Sequence, residues 1–139
     1  MELAEDEART RFSTVPVVRL ATADVLGWPH IVVTTFVVAK DVIFTAVDSK
    51  PKQSRNLKRL RNITINPRVS VLADHYENDW THLWWVRADG TATVIEDEDE
   101  MAEPIRLLTE KYPQYRDNRP DGPVIAVTVE RWTGWTYSR

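Results

Sequence analysis

The sequence predicts a mainly β fold, an antiparallel β-barrel with peripheral helices packed against its outside. Short runs rich in β-branched residues recur along the chain, and only Lys40 and Asp41 separate two of them, as in a β-hairpin. Helical patterns are missing between most strands, where a doubly wound parallel sheet needs them. The chain has 139 residues, 42% hydrophobic and 28% charged, which suits a single domain over residues 1–139.

The first half of the chain predicts a helix and then three strands. Residues 3–12 place their small and aromatic apolar side chains on one helix face. A strand follows Pro16 in "STVPVVRLATAD", and "GWPH" is a turn signal. The runs 31–39 and 41–47 then form the predicted hairpin.

A short helix follows, because Leu57, Leu60 and Ile63 recur every three residues and Pro67 ends the pattern. At 100° per residue, the opposite face of this helix collects polar side chains. That face consists of Arg55, Lys58, Arg59 and Asn62.

The second half adds three strands and a helix, giving about six strands and three helices in all. Residues 68–74 alternate like a half-buried strand, and residues 81–96 read as a long strand. Within the latter, Asp89-Gly90 is either a hairpin turn or a bulge in one bent strand. The acidic residues 96–100 favour the start of a helix, and the last strand covers residues 124–132.

Composition excludes several kinds of site. The chain has no cysteine, so it has no disulfides, thiolate nucleophiles or thiolate metal ligands. It has no GxSxG elbow, no GxGxxG and no P-loop. The histidines lack metal-ligand spacing, and Asp74, His75, Asp79 and His82 are better explained as a polar loop. We therefore predict no metal site. The acidic N-terminus is not a secretory signal and no apolar run resembles a membrane span, so a cytoplasmic location is expected.

The charge distribution predicts an anionic ligand. Residues 49–73 hold seven of the 18 Lys and Arg residues and no Asp or Glu, although the whole chain has a net charge of −3. This basic segment has three alternative explanations: a solvated helix face, a nucleic-acid-binding surface or a site for a small phosphorylated ligand. The acidic remainder of the chain disfavours a long polyanion. The six tryptophans also suit a planar ring, so a flat heterocycle with a phosphate tail explains both features.

Four segments, in order along nearly the whole chain, resemble the pyridoxamine 5′-phosphate oxidase-like (PNPOx-like) split barrels. "GWPHIVVTTF" is similar to their G-x-P-H-x-V-P-x-x-F strand. "RLRNITINPRVSVL" resembles the K-x-R-N-L-x-x-D-P-R-V-S-L segment of the actinobacterial, deazaflavin-using branch. "WWVRADGTATV" resembles W-V-R-V-x-G-x-A-x-V, and "VTVERWTGW" resembles the C-terminal I-x-P-x-x-x-x-G-W.

The resemblance implies a split β-barrel like the FMN-binding proteins, assembled as a homodimer with the cofactor ring between subunits. It implies coenzyme F420, a deazaflavin whose tail carries a phosphodiester and several glutamates. Gly90 matches an in-strand glycine, which favours the bulge. The implied cofactor-binding residues are Thr34 and Thr35 beside the ring, Thr45 at a strand end, Trp85, the basic residues Lys50, Lys52, Arg55, Arg59 and Arg61, and Asn62.

The sequence departs from the family pattern twice. Val33 replaces the usual proline, and the segment between Thr45 and Arg59 is longer than the family's. The added length brings a second basic cluster, so the phosphate and the glutamates have two alternative binding segments.

The expected function is that of an F420-dependent oxidoreductase, which passes a hydride to an electron-poor small-molecule substrate. The alternatives are an FMN-dependent oxidoreductase, a flavin or deazaflavin carrier without turnover and, last, a nucleic-acid-binding module. No side chain is assigned as catalytic, because the cofactor carries the chemistry.

We expect His30 to be structural or to line the ring. Adjacent Trp84 and Trp85 point to opposite faces of their strand, so one fills the barrel and a second subunit covers the other. Neither nucleic acid nor membrane is expected as a partner.

Overall fold

A computed structural model describes residues 1–47 and 57–138. One antiparallel sheet runs through this part of the chain, and its strands follow the order β2-β1-β5-β6-β7-β4-β3. The elements, in chain order, are α1 (Glu5–Phe12), β1 (Val18–Ala23), β2 (Pro29–Thr34), β3 (Val37–Ala39), β4 (Val42–Ala46), α2 (Lys58–Ile65), β5 (Arg68–His75), β6 (Trp84–Ile95), α3 (Glu98–Lys111) and β7 (Val124–Thr136). Short 3₁₀ helices cover Trp80–His82 and Pro113–Tyr115.

The mainly β split-barrel class is confirmed, because three α-helices pack against one curled antiparallel sheet. A smaller hydrophobic cluster lies under α3, and a larger one forms the main core. Phe12 of α1 lies at the centre of that core. Its ring meets Phe36 edge-on at 5.2 Å and Trp132 at 5.1 Å between centroids. Inward-facing residues of β1, such as Val18 and Leu20, alternate with half-buried ones, as a strand with one face on a core requires.

The predicted strand over residues 31–39 is divided, so the sheet has seven strands rather than six. β2 pairs with β1, whereas β3 forms the predicted hairpin with β4. The buried hydroxyl of Tyr112 causes the break, because it accepts the N–H of Phe36 at 3.1 Å and donates to the carbonyl of Pro16 at 2.8 Å. Burial raises the pKa of this hydroxyl.

The prediction of one continuous strand through Asp89-Gly90, rather than a hairpin, is confirmed, since β6 continues through both residues; the bulge at this register shift is on its partner β7. Asp89 pairs with Arg131 and Gly90 with Val129, so the additional residue is Glu130 on β7. Gly90 is required by close packing. A Cβ there would lie 2.2 Å from the carbonyl oxygen of Thr128.

The remaining boundaries differ modestly from the prediction. A 3₁₀ turn replaces the first residues of the long strand, and β7 continues four residues beyond residue 132. The acidic helix start is confirmed: the side chain of Asp97 accepts the N–H of Glu100 at 3.0 Å, and residues 98–100 fill the first turn. Within the described residues, no helix is long and apolar enough to cross a membrane.

Candidate functional site

Helix α2 is fixed to the sheet by a buried polar contact. The amide of Asn62 donates from Nδ2 to Oγ1 of Thr22 in β1 over 3.0 Å, and both residues are only 4% exposed. Leu60 and Ile63 of the same helix enter the core beside this contact. The prediction that Asn62 lies on the polar face opposite the apolar stripe was therefore wrong, because a buried hydroxyl on a distant strand offers its amide a partner.

The two arginines of α2 lie next to this anchor. Arg59 is half-buried, whereas Arg61 is exposed and lines a cleft of about 680 Å³. The other lining residues are Leu60, Thr64, Ile65, Val94, Glu96 and Pro123. Val47, the last residue of the described range 1–47, donates its N–H to the carbonyl of Pro123, which also lines this cleft. Lys50, Lys52 and Arg55 lie outside the described residues.

His30 faces the same side of the sheet as Thr22, its register partner. The Nδ1 atom of His30 is buried and has no hydrogen-bond partner in the described part of the chain. A buried, unpartnered ring nitrogen is uncommon in folded proteins and suits a ligand atom beside it. The contact between Asn62 and Thr22 thus joins α2, which carries Arg59 and Arg61, to the sheet face on which His30 lies. Guanidinium groups are suited to bind the oxygens of an anionic tail.

Thr34 and Thr35 lie at the other end of β2. Four residues separate His30 from Thr34, which corresponds to about 13 Å along a strand. Thr34 donates its hydroxyl to the carbonyl of Thr35, and the hydroxyl of Thr35 lies 2.7 Å from that of Tyr115. Arg59, Arg61 and Asn62 therefore share helix α2, whereas Thr34 and Thr35 lie at the end of β2 that is distant from His30.

Thr45 and Trp85 lie on β4 and β6, apart from Arg59, Arg61 and Asn62 of α2. Thr45 is 2% exposed within β4 and pairs with Ile125 of β7. Trp85 is half-buried on the outer face of the sheet, with the guanidinium of Arg87 5.7 Å from its ring centroid. Its neighbour Trp84 packs against the core. The prediction of opposite faces for the two tryptophans is confirmed, and what covers Trp85 stays a prediction.

The predicted polar loop contains an exposed carboxylate held by two imidazoles. Glu77 bonds to Nε2 of His75 through one oxygen and lies 3.3 Å from Nδ1 of His82 through the other. The hydrogen bond to His75, followed by the one to His82, holds the pKa of Glu77 below its ordinary value. Among the described residues, no three His, Asp or Glu side chains are arranged to hold a metal ion.

A sequence model described as pyridoxamine 5′-phosphate oxidase matches residues 4–136. The chain belongs to this family. The resemblance stated from the motifs is thereby confirmed for the family, while the F420-using branch stays a prediction. No curated protein sequence matches the chain significantly.

Solved structures share the fold at low sequence identity. The FAD-binding protein of Mycobacterium smegmatis is 22% identical, with 97% of this chain and 98% of that chain covered and a TM-score of 0.71. A FAD-binding protein of Mesorhizobium loti is 20% identical, with 96% and 95% covered and a TM-score of 0.71. HutZ, the heme storage protein of Vibrio cholerae, is 18% identical, with 96% and 95% covered and a TM-score of 0.73. At these identities the likeness concerns the fold.

Two residues of the site, Thr22 and Tyr115, were not predicted from the sequence. Thr22, which anchors α2, was signalled only by its inward position in an alternating strand. Tyr115, which holds Thr35, follows α3 and is distant in sequence, so no local pattern indicates it.

Proposed function

We propose that this chain is an oxidoreductase that binds coenzyme F420 and delivers a hydride from its reduced ring to an electron-poor organic substrate. The observation that carries the proposal is the orientation of α2. The contact between Asn62 and Thr22 fixes a helix that carries Arg59 and whose Arg61 lines a cleft, within a sequence window free of Asp and Glu. Guanidinium groups bind phosphate oxygens through paired, charge-assisted hydrogen bonds.

The remaining roles follow from position. Arg59 and Arg61 are assigned to the phosphodiester, and Lys50, Lys52 and Arg55 to the glutamates of the tail. The segment from His30 to Thr35 is assigned to one side of the ring, because it extends about 13 Å along the strand from His30, the register partner of the α2 anchor Thr22. When bound, the deazaflavin supplies the hydride, and the side chains of this protein orient it and exclude water.

FAD is the second candidate cofactor, with FMN as its shorter relative. The proteins of Mycobacterium smegmatis and Mesorhizobium loti that share this fold are described as FAD-binding. The pyrophosphate of FAD is also anionic, so the arginines of α2 suit it as well. A carrier that binds such a cofactor without turnover is the third candidate, and it differs from the first by lacking hydride transfer.

The test is a fluorescence titration of F420 against wild type, Arg59→Ala and Arg61→Ala. A charge-assisted hydrogen bond contributes about 1.5–3 kcal/mol, so each substitution should weaken binding at least about tenfold. The matched control is Arg106→Ala, since this exposed arginine of α3 pairs with Glu103 and Glu110 away from the cleft. Equal affinities for all four proteins would contradict the assignment.

Turnover is measured separately, by oxidation of reduced F420 in the presence of quinones, nitroaromatic compounds and conjugated enones. Hydride transfer to one of these classes supports the enzyme. Tight binding of F420 with no oxidation by any class would favour the carrier.

A further inference from the structure

The cleft beside α2 has one positive and one negative side chain among its described lining residues, Arg61 and Glu96. Arg61 belongs to α2, whereas Glu96 follows the end of β6, so the two charges come from different elements. Most of the other described lining residues are apolar: Leu60, Ile65, Val94 and Pro123. At about 680 Å³ the cleft is large enough for a phosphate group and several carbon atoms of the chain attached to it.

Arg61 is the side chain of the described lining that can bind an anion. The hydroxyl of Thr64 already donates to the carbonyl of Leu60 at 2.9 Å, within α2. Pro123 has no N–H to offer, and its carbonyl accepts the N–H of Val47 at 3.0 Å. The described part of the cleft therefore offers a ligand one cationic group, which is enough to balance one negative charge.

Glu96 brings a carboxylate to the same cleft. It is not needed to start α3, because the side chain of the next residue, Asp97, accepts the N–H of Glu100 at 3.0 Å. No hydrogen bond or ion pair occupies the Glu96 carboxylate within the described part of the chain. An ionised carboxylate only accepts hydrogen bonds, so it can bind hydroxyl groups of a ligand but repels a second negative charge.

We propose that Glu96 determines which kind of phosphate this cleft accepts, a step that rests on the proposed function. Its carboxylate accepts hydroxyl groups of the polyol chain beside the phosphate and disfavours a phosphate that carries two negative charges. The cleft thereby selects a phosphodiester, which has one charge, over a phosphate monoester, which carries about −1.5 to −2 at pH 7. The tail of F420 contains the first kind of phosphate and FMN contains the second.

The expected size of this selection is modest, because Glu96 is exposed and both water and salt screen its charge. For charges about 6 Å apart in a medium close to water, each negative charge of the ligand weakens binding about three- to tenfold. The repulsion grows in proportion to the charge of the ligand. Removal of the Glu96 charge should therefore help a dianion about twice as much as a monoanion on a logarithmic scale.

The experiment measures the dissociation constants of FMN and F420 by fluorescence titration at about 150 mM salt. The proteins are wild type, Glu96→Gln, Glu96→Ala and the matched control Glu98→Gln, whose carboxylate lies in the first turn of α3 outside the cleft. Glu96→Gln keeps an acceptor oxygen and removes the charge. It should lower the ratio of the FMN to the F420 dissociation constant at least about threefold, and Glu98→Gln should leave that ratio unchanged.

Glu96→Ala separates the charge of this side chain from its ability to accept a hydrogen bond. Alanine removes both, whereas glutamine removes only the charge. Glu96→Ala should therefore bind F420 at least about threefold more weakly than Glu96→Gln, because a hydrogen bond from a hydroxyl of the ligand is lost. Circular dichroism checks that each variant is folded.

The same ratio in wild type and Glu96→Gln overturns the inference, and so does an equal fall of the ratio in Glu98→Gln. Equal F420 affinities of Glu96→Gln and Glu96→Ala overturn the contact to the hydroxyl groups. If F420 binds wild type no more tightly than FMN does but the ratio still falls in Glu96→Gln, the proposed function fails while the selection by Glu96 stands. If neither cofactor binds wild type, both fail.

Discussion

The buried contact between Asn62 and Thr22 gives the sharpest test of how α2 is held. Asn62→Leu leaves the Thr22 hydroxyl buried without its amide, and Thr22→Val leaves the amide buried without its hydroxyl. Each orphaned polar group costs about 1–3 kcal/mol. The double variant removes both groups, so its free energy of unfolding should lie close to wild type, with a coupling energy equal to the two single costs together, about 2–6 kcal/mol.

Urea unfolding followed by tryptophan fluorescence measures all four proteins, and additive effects of the two substitutions would refute the contact. The same proteins separate an anchoring role of Asn62 from a direct contact to the cofactor. If Asn62 only anchors α2, Thr22→Val and Asn62→Leu should lower F420 affinity equally and the double variant should recover it. A loss confined to the two proteins that carry Asn62→Leu would instead show that the amide touches the ligand.

Three further predictions concern single residues. Gly90→Ala should lower the free energy of unfolding by about 3 kcal/mol, because its Cβ meets the Thr128 carbonyl. Gly27→Ala has open space around its Cβ and should lose only about 1–2 kcal/mol, from its positive φ. Equal losses for the two variants in urea unfolding would contradict this. Burial lowers the pKa of Lys111 to about 8, below its unfolded value near 10.5, so the charged form opposes folding below pH 8 and this cost disappears as the pH rises to about 10.5. Lys111→Met should therefore raise Tm more at about pH 7 than at about pH 10, and a gain independent of pH would count against it. His30→Ala should lower the hydride-transfer kcat less than about 100-fold at saturating cofactor, and a loss of several thousand-fold would identify a general acid or base.

The sequence predicted the fold well where the evidence is local. Alternating strands, the hairpin at Lys40-Asp41, the helix ended by Pro67 and the acidic start of α3 all depend on neighbouring residues. The break between β2 and β3 was missed, because the hydroxyl that takes up the N–H of Phe36 belongs to Tyr112, 76 residues away. No local periodicity contains that contact.

The candidate site was predicted in composition but less well in geometry. Helical periodicity assigns an asparagine to the polar face, yet Asn62 turns inward because Thr22 offers a buried partner from another strand. The exposure of Ile31 and Val33 was not predicted either, because a β-branched run has the same composition whether one face or both faces of the strand are covered.

The most direct test of the central claim compares cofactors on the wild-type protein. Fluorescence titrations with F420, FAD and FMN at one salt concentration should give the tightest binding for F420, with FMN weaker because it lacks the glutamate tail. Tighter binding of FAD or FMN would contradict the claim and identify a flavin as the cofactor. If none of the three binds, α2 does not form a site for these cofactors.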